Sequence, residues 1–234
     1  MKYLISALPD GVVLSDEQVQ AFRRYAELLT TWNERINLTA ITDDYGIQVR
    51  HFADSLSVAA AADFTQPLTL ADLGSGGGFP GLPLKIAFPQ LDVTLVDSVS
   101  KKVRFMEEVI GELALAGART VDARIETVGQ QADHREAFDV VTARAVAYMP
   151  VLAEYMLPLC KVGGLCVAMK GDSAQREAGD AANAFAALGG ALREIKRVDL
   201  PGVEEGHYLI VIEKLHPTPE AYPRRIGKPA KSPL

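Results

Sequence analysis

The segment LTLADLGSGGGFPGLPL, Leu68 to Leu84, constrains the fold more than any other. An apolar run ends at Asp72, three glycines follow Ser75, and two prolines bracket the start of the next apolar stretch. A strand that runs into a glycine turn and then a helix is the phosphate- or nucleotide-binding unit of open α/β sheets, where ligands lie outside the carboxyl ends of the strands. Gly76-x-Gly78-x-x-Gly81 matches the dinucleotide fingerprint, and Asp97 follows about twenty residues later, where an acid accepts from ribose hydroxyls. The other reading of Asp97 is a cap for the following helix. Pro80 suits the first position of the helix after the turn.

Asp72 separates two ligand classes. A dinucleotide lays a pyrophosphate across the turn, and a carboxylate beside it repels that charge. S-adenosylmethionine carries a sulfonium and an ammonium, so an acid there favours this cofactor over NAD or FAD. Alternatively, Asp72 simply caps the turn.

The remaining pattern agrees with such a sheet. Short apolar runs at Leu68–Leu73, Val93–Val96, Thr120–Ala123, Phe138–Ala143, Leu165–Met169, Leu192–Val198 and Tyr208–Ile212 alternate with helical spacing, clearest over Lys101–Ala116. That alternation predicts a mainly parallel, doubly wound sheet. The last two runs are joined by a Pro-Gly segment without a helical pattern, which predicts a C-terminal antiparallel hairpin. Residues 1–66 read as a helical cap: Ser15 and Gln18 form a capping box, and Val19, Phe22, Ala26, Leu29 and Trp32 follow on one face. A second helix runs from about Tyr45 through SVAAAAD. Residues 67–216 form the sheet domain and 217–234 a basic tail.

Composition removes several classes. With 48% hydrophobic residues the chain affords a sizeable core. The two cysteines, Cys160 and Cys166, lie in apolar company without metal-ligand spacing, so neither a disulfide framework nor a metal site is expected. No secretory signal and no membrane span are evident, and the expected compartment is the cytoplasm. The net charge is −6, yet the last fourteen residues, AYPRRIGKPAKSPL, carry Arg224, Arg225, Lys228 and Lys231 and no acid. They are either a solvated tail or a phosphate-contacting arm.

Charged residues at strand ends suggest a second ligand. Arg144 ends the fourth strand and Lys170 the fifth, and Arg124 follows the third. A cation at the end of an apolar strand is paired or faces a cleft. HFADS places His51, Asp54 and Ser55 within one helical turn, but a hydrolytic triad is defined by geometry. Asp54 is expected either to pair His51 or Arg50, joining cap to sheet, or to border the substrate.

LLTTWNERINLTAI, RHFADSL, DLGSGGGFPGLPL, LVDSVSKKVRF, RIE, TARAVA and MKG, in this order, resemble the ribosomal RNA small-subunit methyltransferase G family, also called glucose-inhibited division protein B. The resemblance extends from about Leu28 to the C-terminus. It implies a class I S-adenosylmethionine-dependent fold, a seven-stranded Rossmann-like sheet with an N-terminal helical cap. It implies methylation of N7 of one guanine of 16S rRNA, with the small ribosomal subunit as partner and no obligate protein partner. Gly74, Phe79, Ile125, Glu126 and Arg144 would contact the cofactor by motif, alongside Asp72, Gly76 and Asp97 from the turn and second strand. Gly77 stands where members often carry another small residue or proline. Guanine N7 needs no deprotonation, so positioning residues are expected rather than a general base: Arg124, Arg144 and Lys170, with His51 and Asn37 from the cap. The alternative within the class is a methyltransferase acting on a small molecule or a protein.

Overall fold

A computed structural model describes residues 1–234. One seven-stranded sheet comprises β1 (Thr69–Leu73), β2 (Asp92–Asp97), β3 (Ala118–Asp122), β4 (Phe138–Arg144), β5 (Cys160–Lys170), β6 (Gly190–Val198) and β7 (His207–Lys214). Their order is β3-β2-β1-β4-β5-β7-β6. The first five strands are parallel, and β7 runs antiparallel between β5 and β6. The expected doubly wound sheet and its final hairpin are therefore present. The differences lie at element ends. β5 begins at Cys160, before two glycines, and its register with β4 shifts between Phe138 and Val140. The helix expected over Lys101–Ala116 runs from Ser100 to Glu112, and the chain turns left-handed soon after, at Ala114 (φ 49°).

Side chains alternate across β1 and feed two cores. Leu70 packs with Val93, Leu95 and the cap residues Phe22, Tyr25, Leu29 and Phe52. Ala71 and Leu73 pack on the other face with Leu152, Met156 and Phe185. Phe22 and Phe52 are fully buried, with ring centroids 5.0 Å apart. Burial of each stabilises the cap–sheet contact by about 2–3 kcal/mol. The cap thus shares a core with the sheet.

The helix Asp16–Asn33 starts with the predicted capping box, both halves of which form. Gln18 also reaches across to the sheet domain. Its Nε2 donates to Ile86 O (2.8 Å) and Ala87 O (2.9 Å), the last carbonyls of the helix Gly81–Ala87. Two turns further on the same face, Tyr25 donates to Gly77 O and its ring stacks on Phe79 at 5.5 Å. The first cap helix therefore fastens both the glycine turn and the far end of the helix that follows it.

The second cap segment is helical from Asp44 to Ala60, but Ile47–Ala53 widens into a π-helical turn. Such turns recur at functional sites, and this one carries Arg50 and His51 toward the end of β4. The tail folds back on the body. Arg135 donates to Tyr222 O (2.6 Å) and Thr218 O (2.7 Å), and Gln130 donates to Pro223 O (2.9 Å).

Candidate functional site

Two clefts open at the carboxyl ends of the parallel strands. The segment after β4, Arg144 to Ala147, lies between them and contributes walls to both.

The first cleft has a volume of about 470 Å³, and Gly74, Asp97, Arg124, Ile125, Val146 and Tyr155 are among its lining residues. The glycine turn enters it with φ values of 66° at Gly74 and 57° at Gly76. A Cβ at Gly74 would come within 2.7 Å of Val146 Cγ2, so only bare backbone can stand between the turn and the β4 loop. Asp97 is nearly buried and divides its carboxylate: Oδ2 accepts from Gly76 N (2.9 Å) and Oδ1 from Val99 N (2.9 Å). The capping reading of this residue is met, and the same residue lines the cleft. Glu126 accepts from Gly227 N (2.9 Å) and from Tyr155 Oη at 3.4 Å. Burial, helped by Glu126, pushes the Tyr155 hydroxyl up to about 12, so it remains a donor.

Asp72 lies beneath the turn rather than on the cleft wall. It is fully buried, and Oδ2 accepts from Gly81 N at 2.9 Å while Oδ1 has no partner. Burial raises its pKa to about 7. The fit to an adenosyl cofactor therefore rests on three features: a turn without side chains, an acid at the end of β2, and an orphaned carboxylate oxygen below the turn. A carboxylate below the turn disfavours a pyrophosphate and favours a sulfonium ligand.

The second cleft has a volume of about 480 Å³ and lies between the cap and the ends of β4, β5 and β7. Arg50, His51, Asp54, Arg144, Lys170, Asp172, Glu205, His207 and Tyr208 line it. Arg144 is its centre. Its guanidinium donates to Asp54 Oδ2 (3.0 Å), Arg50 O (3.1 Å) and His51 Nδ1 (3.1 Å), and it lies 4.9 Å from the Phe79 ring centroid. His51 stacks on the other partner of that pair, with centroids 4.5 Å apart and planes 18° from parallel. Burial, then the adjacent Arg144, lowers the His51 pKa to about 3. The ring is neutral at working pH. Since Nδ1 faces an arginine donor, the proton sits on Nε2, which donates to Thr39 Oγ1 at 2.7 Å.

Asp54 joins cap to sheet, but not through the partners expected. It pairs Arg144 and His207 (3.1 Å) rather than His51 or Arg50, because those two strand-end cations converge on it across the domain junction. Arg50 instead pairs Glu205 at 3.3 Å. Ser55 Oγ donates to His51 O, so the Ser, His and Asp of HFADS form no relay. Lys170 donates to Glu177 (2.6 Å) and Ala147 O (2.6 Å) and steadies the partition.

Other expected residues are placed differently. Arg124 lines the first cleft and bonds Ser98 Oγ at 3.3 Å. Asn37 is exposed on the cap loop, whose shape is set by Asn33 through Leu38 N, Thr39 N and Thr39 O. Arg224 is clamped to the fully buried Glu154, with Nε at 2.9 Å, while Arg225, Lys228 and Lys231 are exposed. Sequence reasoning missed Asp172, Glu205 and His207. The predicted hairpin contained the signal, since an antiparallel last strand beside β5 sets Tyr208 opposite Lys170.

A sheet of this order, with a glycine cradle after β1 and an acid after β2, defines a class I S-adenosylmethionine-dependent methyltransferase. Solved structures share the fold: geranyl diphosphate C-methyltransferase of Streptomyces coelicolor, with S-adenosyl-L-homocysteine, gives a TM-score of 0.58 at 14% identity over 86% of this chain and 99% of that one. TrmN of Thermus thermophilus gives 0.54 at 20% identity over 69% of this chain and 48% of that one. Sequence relatives narrow the class. The chain is 47% identical over 233 residues to the ribosomal RNA small subunit methyltransferase G of Exiguobacterium sibiricum, covering 100% of this chain and 98% of that protein. It is 50% identical over 224 residues to the protein of the same name from Geobacillus kaustophilus, covering 96% and 94%. The profile of the GidB family, rRNA small subunit methyltransferase G, matches residues 18–203. The chain belongs to this family.

Proposed function

We propose that the chain methylates N7 of a guanine in 16S ribosomal RNA, with the cofactor in the first cleft and the target base in the second. The observation that carries this reading is the state of the groups lining the second cleft. His51 is engaged at both ring nitrogens and Asp54 at both oxygens, and Lys170 is paired. The groups gathered around Arg144 and Lys170 are thus not free to take a proton from an acceptor. Guanine N7 already offers a lone pair.

S-adenosylmethionine, when bound, supplies an electrophilic methyl on sulfur, and its positive charge passes with that methyl to the purine. The chain's residues then have three tasks. Gly74 and Gly76 would let the backbone approach the cofactor, and Asp97 would hold its ribose end. Arg144, locked by Asp54, His51 and Phe79, fixes the partition so that the two clefts meet in one geometry, which is the main source of rate when no proton moves. Asp172 and Glu205 line the cleft that receives the cationic purine, and their charge opposes the one gained.

Of the two histidines there, His207 is the one that invites a base-dependent reading. Its pKa is raised, chiefly by its hydrogen bond to Asp54. That bond favours its protonated form, which suits an RNA phosphate better than proton abstraction. His207→Asn is expected to lower single-turnover transfer by less than tenfold, whereas loss of a general base costs about 10²–10⁴-fold.

The direct test uses labelled S-adenosylmethionine with small subunits, or their RNA, from cells lacking this activity, followed by digestion and mass spectrometry. The expected product is 7-methylguanosine. A different methylated nucleoside, or transfer only to protein or a small molecule, overturns the assignment.

A further inference from the structure

We propose that the C-terminal segment from Arg224 to Ala230 is a wall of the cofactor site, closing the adenosyl end of the first cleft, so that cofactor affinity depends on it even without RNA. The inference rests on the assignment of that cleft to the cofactor. Gly227 and Ala230 line it together with Gly74, Asp97 and Ile125. The segment is therefore part of the site's surface, although it lies over a hundred residues from the glycine turn in sequence.

Two carboxylates hold it there. Glu154, on the helix Met149–Met156, is fully buried and accepts from Arg224 N (2.7 Å) and from Arg224 Nε at 2.9 and 3.0 Å. A carboxylate with no solvent access is tolerable only with such pairing. The body has therefore placed a buried charge whose only partner is the tail. Glu126 accepts from Gly227 N at 2.9 Å. This acid lines the cleft beside Ile125, and so does its second partner, Tyr155.

Packing agrees with the hydrogen bonds. Pro223 is buried so closely against the turn after β3 that a Cβ on Gly129 would come within 2.8 Å of its ring. The strap thus crosses from the β3 turn to the helix after β4, and the cleft lies under it. A tail that served only as a phosphate arm would need neither buried carboxylate.

The test measures S-adenosylhomocysteine binding by calorimetry without RNA, on the full chain and three variants. Ala230→Trp places a bulky ring on the wall at an exposed position. A chain ending at Pro223 that also carries Glu154→Leu removes the wall together with the carboxylate that Arg224 neutralises, and leaves Glu126 its Tyr155 partner. Asp97→Asn reports on the cleft itself. The expected result is at least tenfold weaker binding in both tail variants, with urea midpoints showing that each is folded, and weaker binding in Asp97→Asn. If Asp97→Asn weakens binding while Ala230→Trp stays within twofold of the full chain, the wall is refuted and the cleft assignment stands. If neither changes affinity, the cleft assignment falls and the inference with it. Should the shortened chain fail to fold, Ala230→Trp decides alone.

Discussion

Asp72 is the residue whose position changes meaning between sequence and structure. Read along the chain, it stands beside the glycine turn and favours a cationic ligand by proximity. In the fold it is buried beneath the turn, holding Gly81 N, with one oxygen unsatisfied and a pKa near 7 because of burial. Its native pKa lies above that of an unfolded aspartate, so the native state binds the extra proton between about pH 4 and 7. Its contribution to stability is present below that window and is lost as pH rises through it. Asp72→Asn is therefore predicted to be more stable than the parent at pH 8, by up to about 4 kcal/mol. The difference should vanish near pH 4 in urea titrations. A difference independent of pH would mean that the carboxylate is ionised throughout. The acid itself was legible in the sequence. Its burial was not, because that depends on which face of β1 the cap and β2 cover.

At the scale of elements, the junction of the π-helical turn with the ends of β4 and β7 decides the geometry of the second cleft. Arg144, Asp54 and His207 come from three elements, and Asp54 holds both cations. Asp54→Ala leaves the largely buried Arg144 without its carboxylate and is expected to cost about 3–5 kcal/mol in urea denaturation. The same variant should alter the pH profile. His207 has a raised native pKa, so its contribution is fully present below about pH 6.5 and fades as pH rises past the raised value. That dependence should disappear when Asp54 is removed. A loss below 1 kcal/mol with an unchanged profile would show that Asp54 does not organise the junction. Strands and helices here were legible because apolar period and glycine punctuation are local. Pairings such as Asp54 with Arg144 were not, since they link residues ninety positions apart through a crossing of elements that no local pattern records.

At the scale of the whole molecule, an acidic body carries its exposed tail cations beside the first cleft. Arg224 looks like its neighbours in sequence but is neutralised by Glu154, whereas Arg225, Lys228 and Lys231 remain exposed. Replacing those three with alanine is predicted to lower the slope of log K against log salt for RNA binding by about 2–3. Arg224→Gln should leave the slope unchanged. Equal effects would erase the distinction between anchor and arm. No helix is long and apolar enough to cross a membrane. The central claim is that an RNA base in the second cleft accepts the methyl at N7, with no proton removed. The most direct measurement is single-turnover transfer to RNA carrying 7-deazaguanosine at the modified position. The account predicts binding as tight as for unaltered RNA, to within a few fold, and no transfer. Methyl transfer to the 7-deaza substrate would contradict it, because the acceptor would then be another atom.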